Sequence, residues 1–442
     1  MKRKKSENSN PLHNEYDLII IGAGPAGLIA AIESNVNNVR IIVIEQKFKP
    51  AMKLRITGKG NCNITNDAGV EEFIENFGRK GKFLRQSFNK FFNEDLISYF
   101  NKLGVDFELE RGGRYYPKSG KAETIVNSLL QRLDDLNIEI VTNFKAENII
   151  VRKSGEFEIR LSGKDRPDGE LQSSLTLKTE RILLATGGRS YPGTGSDGSG
   201  FVLAEGLGHT IVPIIPALVP LKGKGNIPEE LNGLSIRNCR VKVFSGDKKV
   251  DDQFGEMEFR DNEIAGPVIL SMSKDIVRKI KKGERIFLSI DLKPSLDYKK
   301  LDNRILREIK DKKNKNCADI LKTLLPGKAI NLFLTLTGID GKKNPGQLTS
   351  EERRNENNLL KGIKIPVKGS ASISKALVTS GGVSLSEIDQ ATMESKIIKG
   401  LYFAGEVMDI DGETGGFNLQ AAFSTGWVAG RSLKSSIIKT GE

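Results

Sequence analysis

Residues 16–27 read YDLIIIGAGPAG. The run 18–21 is unbroken aliphatic, the pattern of a parallel strand buried on both faces. Gly22, Gly24 and Gly27 complete a G-x-G-x-x-G turn, with Ala23 and Ala26 among them. The first glycine permits a tight turn, the second lets a pyrophosphate approach the backbone, and the third lets a helix pack closely on the strand. A helix opening at 24–26 offers unpaired N–H groups and the positive end of its dipole. Residues 40–44 read as a second apolar strand, which Glu45 ends 18 residues after Gly27, where a carboxylate can take ribose hydroxyls. The stretch predicts the first strand, phosphate turn and helix of a dinucleotide-binding domain.

At 442 residues the chain exceeds what one core usually serves, so two or three domains are expected. Its longest apolar runs are strand-sized, and a membrane partner is not expected. Residues 1–14 are basic and polar with no apolar core, which reads as a flexible tail and a cytoplasmic protein. Three cysteines and two histidines are too few and too scattered for a disulfide framework, a Cys- or His-rich metal site or a Ser-His-Asp triad. No metal is expected, and proton chemistry falls to other side chains. The net charge of +12 is uneven: residues 271–350 carry nineteen Lys and Arg against nine Asp and Glu. Its plain reading is a solvated lysine-rich face, but its concentration in one segment also suits a polyanionic partner.

Residues 53–66, KLRITGKGNCNITN, have no period and read as a loop at the ligand edge of the sheet. Residues 94–103 read as a helix, 111–122 as an ordered loop, 123–133 as a helix and 138–141 as a third strand. Alternation over 156–177 suggests an antiparallel meander, and 181–185 returns to the buried parallel type before Thr186, Gly187 and Gly188. Short strands at 212–221, 239–244, 255–259 and 285–292 predict a small β-barrel or sandwich. Residues 297–333 are helical in period, and 363–367 return as a strand. Near the C-terminus a strand at 400–404 precedes Gly405 and Glu406, and GETGGFNLQAA at 412–422 opens a long helix. A nucleotide-binding segment at each end of the chain is the arrangement used for FAD.

The GAGPAG turn with Glu45, TGKGNCNITN, ATGGRSYPGTGSDGSG at 185–200, IPALVPL at 215–221 and YFAGEVMDIDGETGGFNLQAAFSTG at 402–426 together resemble the YhiN-like flavoproteins, also called BaiN/RdsA or aminoacetone oxidase-like. The resemblance runs from residue 16 to about residue 435. It implies an α/β fold in which a glutathione-reductase-type, Rossmann-like FAD-binding domain is interrupted by a β-barrel domain that carries a helical insert. The expected boundaries are a flexible basic tail at 1–13, the FAD domain at 14–205 and 373–442, the barrel at 206–293 and 360–372, and the insert at 294–359. The family loop has Arg before Cys, whereas this chain has Asn61, so an anion contact by that Arg is not expected here.

Non-covalent FAD is therefore expected on Gly22, Ala23, Gly24, Ala26, Gly27, Glu45 and Gln46, with Lys145 and Ala146 near adenine. The resemblance adds Arg55, Gly60, Asn61, Cys62, Asn63, Thr186, Gly187 and Gly188, and from the C-terminal segment Gly405, Glu406, Gly416, Phe417, Asn418, Gln420 and Ala421. The helix beginning in the last group would set its positive end against the reduced flavin. Cys62 is the candidate general acid; its plainer reading is a small side chain packed beside the cofactor. Tyr115, Tyr116 and Lys118 are alternatives for the proton or for stacking, and His209 reads as a hydrogen-bonded residue at a domain junction. Residues 187–200 lack a βαβ unit, so NAD(P)H is expected only as a transient electron donor.

Fold alone does not decide the substrate. The family implies hydride addition to C6 of a uracil in ribosomal RNA with protonation at C5, giving dihydrouridine, and Lys312, Lys313 and Lys315 in the basic insert are the candidate RNA contacts. The alternative is a small-molecule flavoenzyme, such as an aminoacetone-type amine oxidase or an enoate reductase.

Overall fold

The computed structural model describes residues 13–163, 174–225, 229–311 and 315–441. Residues 1–12 of the expected tail, and Lys312 and Lys313, lie outside them. Two units divide at 214/215 and 377/378, where the sequence reading placed the changes at 205/206 and 372/373.

In the first unit β1 (Leu18–Ile21) leads into α1 (Pro25–Ser34) and β2 (Ile41–Glu45). Every residue of both strands is buried, as an aliphatic run between two covered faces requires. Pro25 occupies the first turn of α1, where a missing N–H costs no hydrogen bond. The chain continues through α2 (Met52–Ile56), β3 (Thr65–Asn66), α3 (Val70–Asn76), α4 (Gly81–Lys90), α5 (Asn93–Lys102), β4 (Phe107–Glu110), β5 (Arg114–Pro117), α6 (Ala122–Asp135) and β6 (Glu139–Thr142). Next come β7 (Phe144–Val151), β8 (Phe157–Gly163), β9 (Leu175–Thr179), β10 (Ile182–Leu184), α7 (Ser199–Gly206) and β11 (Ile211–Ala217).

Two stretches read as loops are partly regular. Residues 53–66 contain most of α2, anchored by buried Leu54, and β3, whose Thr65 and Asn66 pair with Tyr115 and Arg114 of β5. Residues 111–122 hold β5 itself, the second strand of a hairpin with β4. Strand β11 pairs with the later strand Val378–Val383 and is not a barrel strand.

The second unit contains β12 (Leu221–Gly223), β13 (Leu234–Ser245), β14 (Lys248–Arg260), β15 (Glu263–Ala265), α8 (Pro267–Lys281), β16 (Ile286–Asp291), α9 (Tyr298–Asp311), α10 (Cys317–Leu321), α11 (Ile330–Thr337), α12 (Ser350–Lys361) and β17 (Ile363–Ser370). Six strands close a barrel in the order β12-β15-β14-β13-β16-β17. Val241, Val243, Met257, Leu288 and Ile290 fill it, taken from alternate positions along their strands. The four helices α9–α12 are inserted between β16 and β17.

The chain re-enters the first unit with β18 (Val378–Val383), β19 (Leu401–Phe403) and α13 (Phe417–Gly441). β19 joins the parallel sheet next to β10, giving the order β19-β10-β1-β2-β6. The first and last strands of the unit thereby share one sheet, whose carboxyl edge carries the residues singled out above. Among the described residues no helix is long and apolar enough to cross a membrane.

Candidate active site

Along that carboxyl edge the turn after β1 brings backbones into close approach. Gly22 has φ +107°, and a Cβ there would stand 2.4 Å from the Ala185 carbonyl oxygen. A Cβ on Gly27 would stand 2.0 Å from the Gly22 oxygen, so α1 meets the strand backbone to backbone. In front of Gly24 a Cβ would meet no atom within 4 Å, leaving open the space a pyrophosphate would use. Glu45 is buried and its two oxygens accept the N–H groups of Ala23 (3.1 Å) and Lys47 (2.8 Å), so the carboxylate braces the turn.

Next to it Gln46 donates Nε2 to the carbonyl of Gly195. The 187–200 segment thus folds back over the end of β2. Asp197 in this segment is held below the usual carboxylate range, against the effect of its burial, by bonds from Ser199 and Gln46 and by the charge of Lys145. Lys145 and Ala146 do not simply follow the third strand: they lie on β7, opposite Ser162 and Leu161 of β8.

At the other end of the edge, Glu406 follows β19. Its Oε1 accepts the Thr379 N–H (2.7 Å) and the Ser190 hydroxyl (3.2 Å), and its Oε2 pairs with Lys53 Nζ at 2.7 Å. Lys53 also donates to Ser190 Oγ at 2.7 Å. Gly188 fits here because a Cβ would stand 2.3 Å from Thr379 Oγ1 and 2.6 Å from Glu406 Oε1. Lys53, Ser190 and Thr379 were missed from sequence, since Lys53 and Glu406 are 353 residues apart and no local pattern joins them.

The start of α13 is built from the same kind of contact. A Cβ on Gly416, φ +102°, would stand 2.5 Å from the Thr65 carbonyl, and Asn66 Nδ2 donates to the Gly415 carbonyl at 3.0 Å. Asn418 holds the Gly412–Glu413 backbone through both ends of its amide. Gln420 is fully buried, bonded to Thr65 and Ser424, and Phe417 packs edge-on to Phe73 with centroids 4.6 Å apart. These side chains, with buried Ala421, position the helix, and its first backbone N–H groups are what it can offer a ligand.

Cys62 is fully buried in a left-handed backbone conformation, φ +61°, with its N–H bonded to the Thr57 carbonyl. Burial pushes its thiol up to about 12, so it carries its proton at neutral pH. Gly60, φ +93°, and exposed Asn61 belong to the same loop. The Arg55 guanidinium binds the Pro50 carbonyl and Glu123 of α6. Tyr115 donates to Asp67 (3.2 Å), and Lys118 pairs with Asp106 at the surface. His209 is buried between Glu387 (3.1 Å) and Ser395 (3.0 Å), and burial pulls its pKa down.

Whether FAD suits this edge can be judged from polar atoms left over. Among the described residues, Gln46 Oε1, Asn63 Oδ1 and Thr186 Oγ1 are buried with no hydrogen-bond partner. Each such atom costs on the order of 1–3 kcal/mol unless a ligand or water supplies a partner. With the open space at Gly24 and the α1 and α13 N-termini, they fit a long ligand bearing phosphates and hydroxyls.

The family described as HI0933-like protein Rossmann domain matches residues 16–432. The chain is 29% identical over 415 residues to a 3-dehydro-bile acid delta(4,6)-reductase of Clostridium scindens, covering 93% of this chain and 98% of that protein. It is 27% identical over 418 residues to a ribosomal RNA dihydrouridine synthase of Escherichia coli, covering 95% and 98%. Among solved structures, a flavocytochrome c3 fumarate reductase superposes with a TM-score of 0.51 at 16% identity, covering 97% of this chain and 79% of the other. The 3-ketosteroid delta1-dehydrogenase of Sterolibacterium denitrificans does so at 0.51 and 14%, covering 96% and 100%. The likeness to the two structures is one of fold.

Proposed function

Because the chain belongs to the HI0933-like family of FAD-dependent oxidoreductases, we propose that it saturates an electron-poor carbon–carbon double bond, with the C5=C6 bond of a uridine in ribosomal RNA as substrate and NAD(P)H as transient donor. The overall change balances as NAD(P)H, a proton and uridine giving NAD(P)⁺ and dihydrouridine. The names of both relatives describe addition of hydrogen to a carbon–carbon double bond conjugated to a carbonyl. The observation that carries the RNA assignment is the surplus of nineteen basic over nine acidic residues between 271 and 350, all of it in the second unit.

FAD, when bound, supplies the hydride-donating centre. Glu45 and the GAGPAG turn would hold its ADP half non-covalently, and the start of α13 would face the redox end. Lys53, Ser190 and Thr379 hold the Glu406 carboxylate in one place beside Gly188. Cys62, protonated, is the source of the proton for C5, and reaches substrate only if its loop moves, because the side chain has no exposed surface. Thr57, Gly58, Lys59 and Gly60 supply a turn with three successive left-handed residues, Gly58 to Gly60, that can carry such a motion. The C. scindens relative favours a second reading, saturation of a small enone by the same bond change.

The test is incubation of the FAD-loaded protein with NADPH and ribosomal RNA lacking modifications, followed by nucleoside mass spectrometry. A nucleoside two hydrogens heavier than uridine, absent without protein, is expected. NADPH-dependent saturation of an enone steroid with no change in the RNA would move the assignment to the second reading.

A further inference from the structure

The outer wall of the barrel carries a feature that neither the charge count nor the cofactor site absorbs. Strands β14, β13, β16 and β17 lie side by side. Their register sets Lys249, Phe244, Phe287 and Pro366 in one row, and Asp252, Lys242, Ser289 and Lys364 in the next, with Phe254 opposite Arg240 beyond. Val241, Val243, Ile286 and Leu288, between them in sequence, are buried in the barrel, so the row residues point outward by the two-residue period of a strand.

Three phenylalanines therefore face out. Phe254 is 58% exposed. Phe244 and Phe287 lie parallel, with centroids 4.8 Å apart and planes 1° from parallel, and the Lys364 ammonium sits 5.6 Å from the Phe287 centroid. Of the acids nearby, Asp252 is engaged with Arg240 and Lys249, and Asp291 with Lys361. Lys242, Lys364 and Lys368 have no ion pair among the described residues, and Lys364 and Lys368 are exposed.

Aromatic faces flanked by unpaired lysines on an open sheet match two demands of a single-stranded nucleic acid at once. Bases stack on the rings whatever their identity, and phosphates meet the ammonium groups. An acidic peptide would use the lysines but leave the rings in water. We propose that this wall binds a single-stranded segment of RNA, with bases on Phe254 and on the Phe244–Phe287 pair and phosphates at Lys242, Lys364 and Lys368. The inference rests on the RNA reading above. It assigns the contact to strands of the barrel, where the sequence alone had pointed to lysines of the helical insert.

The test uses the full FAD-loaded chain and a fluorescein-labelled short oligouridylate, with affinity read by anisotropy at several salt concentrations. Phe254→Ala and Phe244→Ala are each expected to weaken binding about tenfold. Lys242→Gln and Lys364→Gln should each lower the slope of log affinity against log salt by about 0.7. Flavin content, unchanged in all four, reports that the fold is intact. Phe254 is mostly exposed, so its variant keeps the test valid even if Phe244→Ala unfolds. Unchanged affinity and slope in Phe254→Ala and the lysine variants would overturn the proposal. Binding to anionic phosphatidylglycerol vesicles that oligouridylate fails to displace would also overturn it. Oligouridylate binding that depends on this wall in a protein that forms no dihydrouridine would uphold the surface and sink the reaction assigned above.

Discussion

Burial decides the chemistry of the cysteines. Cys62, Cys239 and Cys317 are all buried, and desolvation pushes their thiols up to about 12, 11 and 11. Since the thiolate is the reactive form, the native protein should label far below three equivalents with a disulfide reagent at pH 8, and reach three when unfolded in guanidinium. Full labelling of the native protein would show that the loop around Cys62 opens freely. At the same scale, the Lys53–Glu406 pair is judged by its coupling. Lys53→Met and Glu406→Gln should each reduce FAD retention by at least severalfold, and the double variant should lose less than the sum, because each single change leaves the other partner uncompensated. Additive losses in a flavin-release titration would mean that the two act separately.

Elements in this protein meet through glycine where backbones must touch. A Cβ on Gly426 would stand 2.4 Å from the Ala26 oxygen and one on Gly430 2.6 Å from the Ala30 oxygen, so α1 and α13 pack along two small-residue stripes. Gly426→Leu should lower the thermal midpoint by several degrees and flavin content with it, since α1 carries the phosphate turn; an unchanged midpoint would contradict that packing. In the insert, Glu356 on α12 is 3% exposed, and burial lifts its carboxyl from 4.5 to about 7. The folded state then keeps a proton that the unfolded chain releases, and stability falls as pH rises from about 4.5 to about 7, by about 3 kcal/mol in all. Glu356→Gln should therefore be more stable than the parent at pH 8, with the advantage gone near pH 4, as read by urea midpoints. A difference independent of pH would contradict this account.

The parallel strands and the glycine turn were legible because their signals are local: an aliphatic run, then glycines at fixed spacing. Helix α8 was equally local, with buried positions 268, 269, 272, 276 and 277 at helical spacing, but it lies between the segments read as barrel strands and was given no element. Strand β3 was not legible, since two residues become a strand only by pairing with Tyr115 and Arg114 some fifty positions on. The Lys53, Ser190, Thr379 and Glu406 cluster and the aromatic wall of the barrel arise in the same way, from register and long-range closure.

For the whole molecule, an FAD-type Rossmann domain carries an inserted barrel unit that holds most of the excess positive charge. The first unit supplies a cofactor edge with buried polar atoms that have no partner among the described residues, and the second a basic, aromatic surface. The substrate is where the account is most exposed. Ribosomal RNA from cells with and without the gene, digested and compared by nucleoside mass spectrometry with position mapping, tests it most directly. The account predicts that one dihydrouridine disappears on deletion and returns with the intact gene but not with Lys53→Met. The same dihydrouridine in both strains would contradict it.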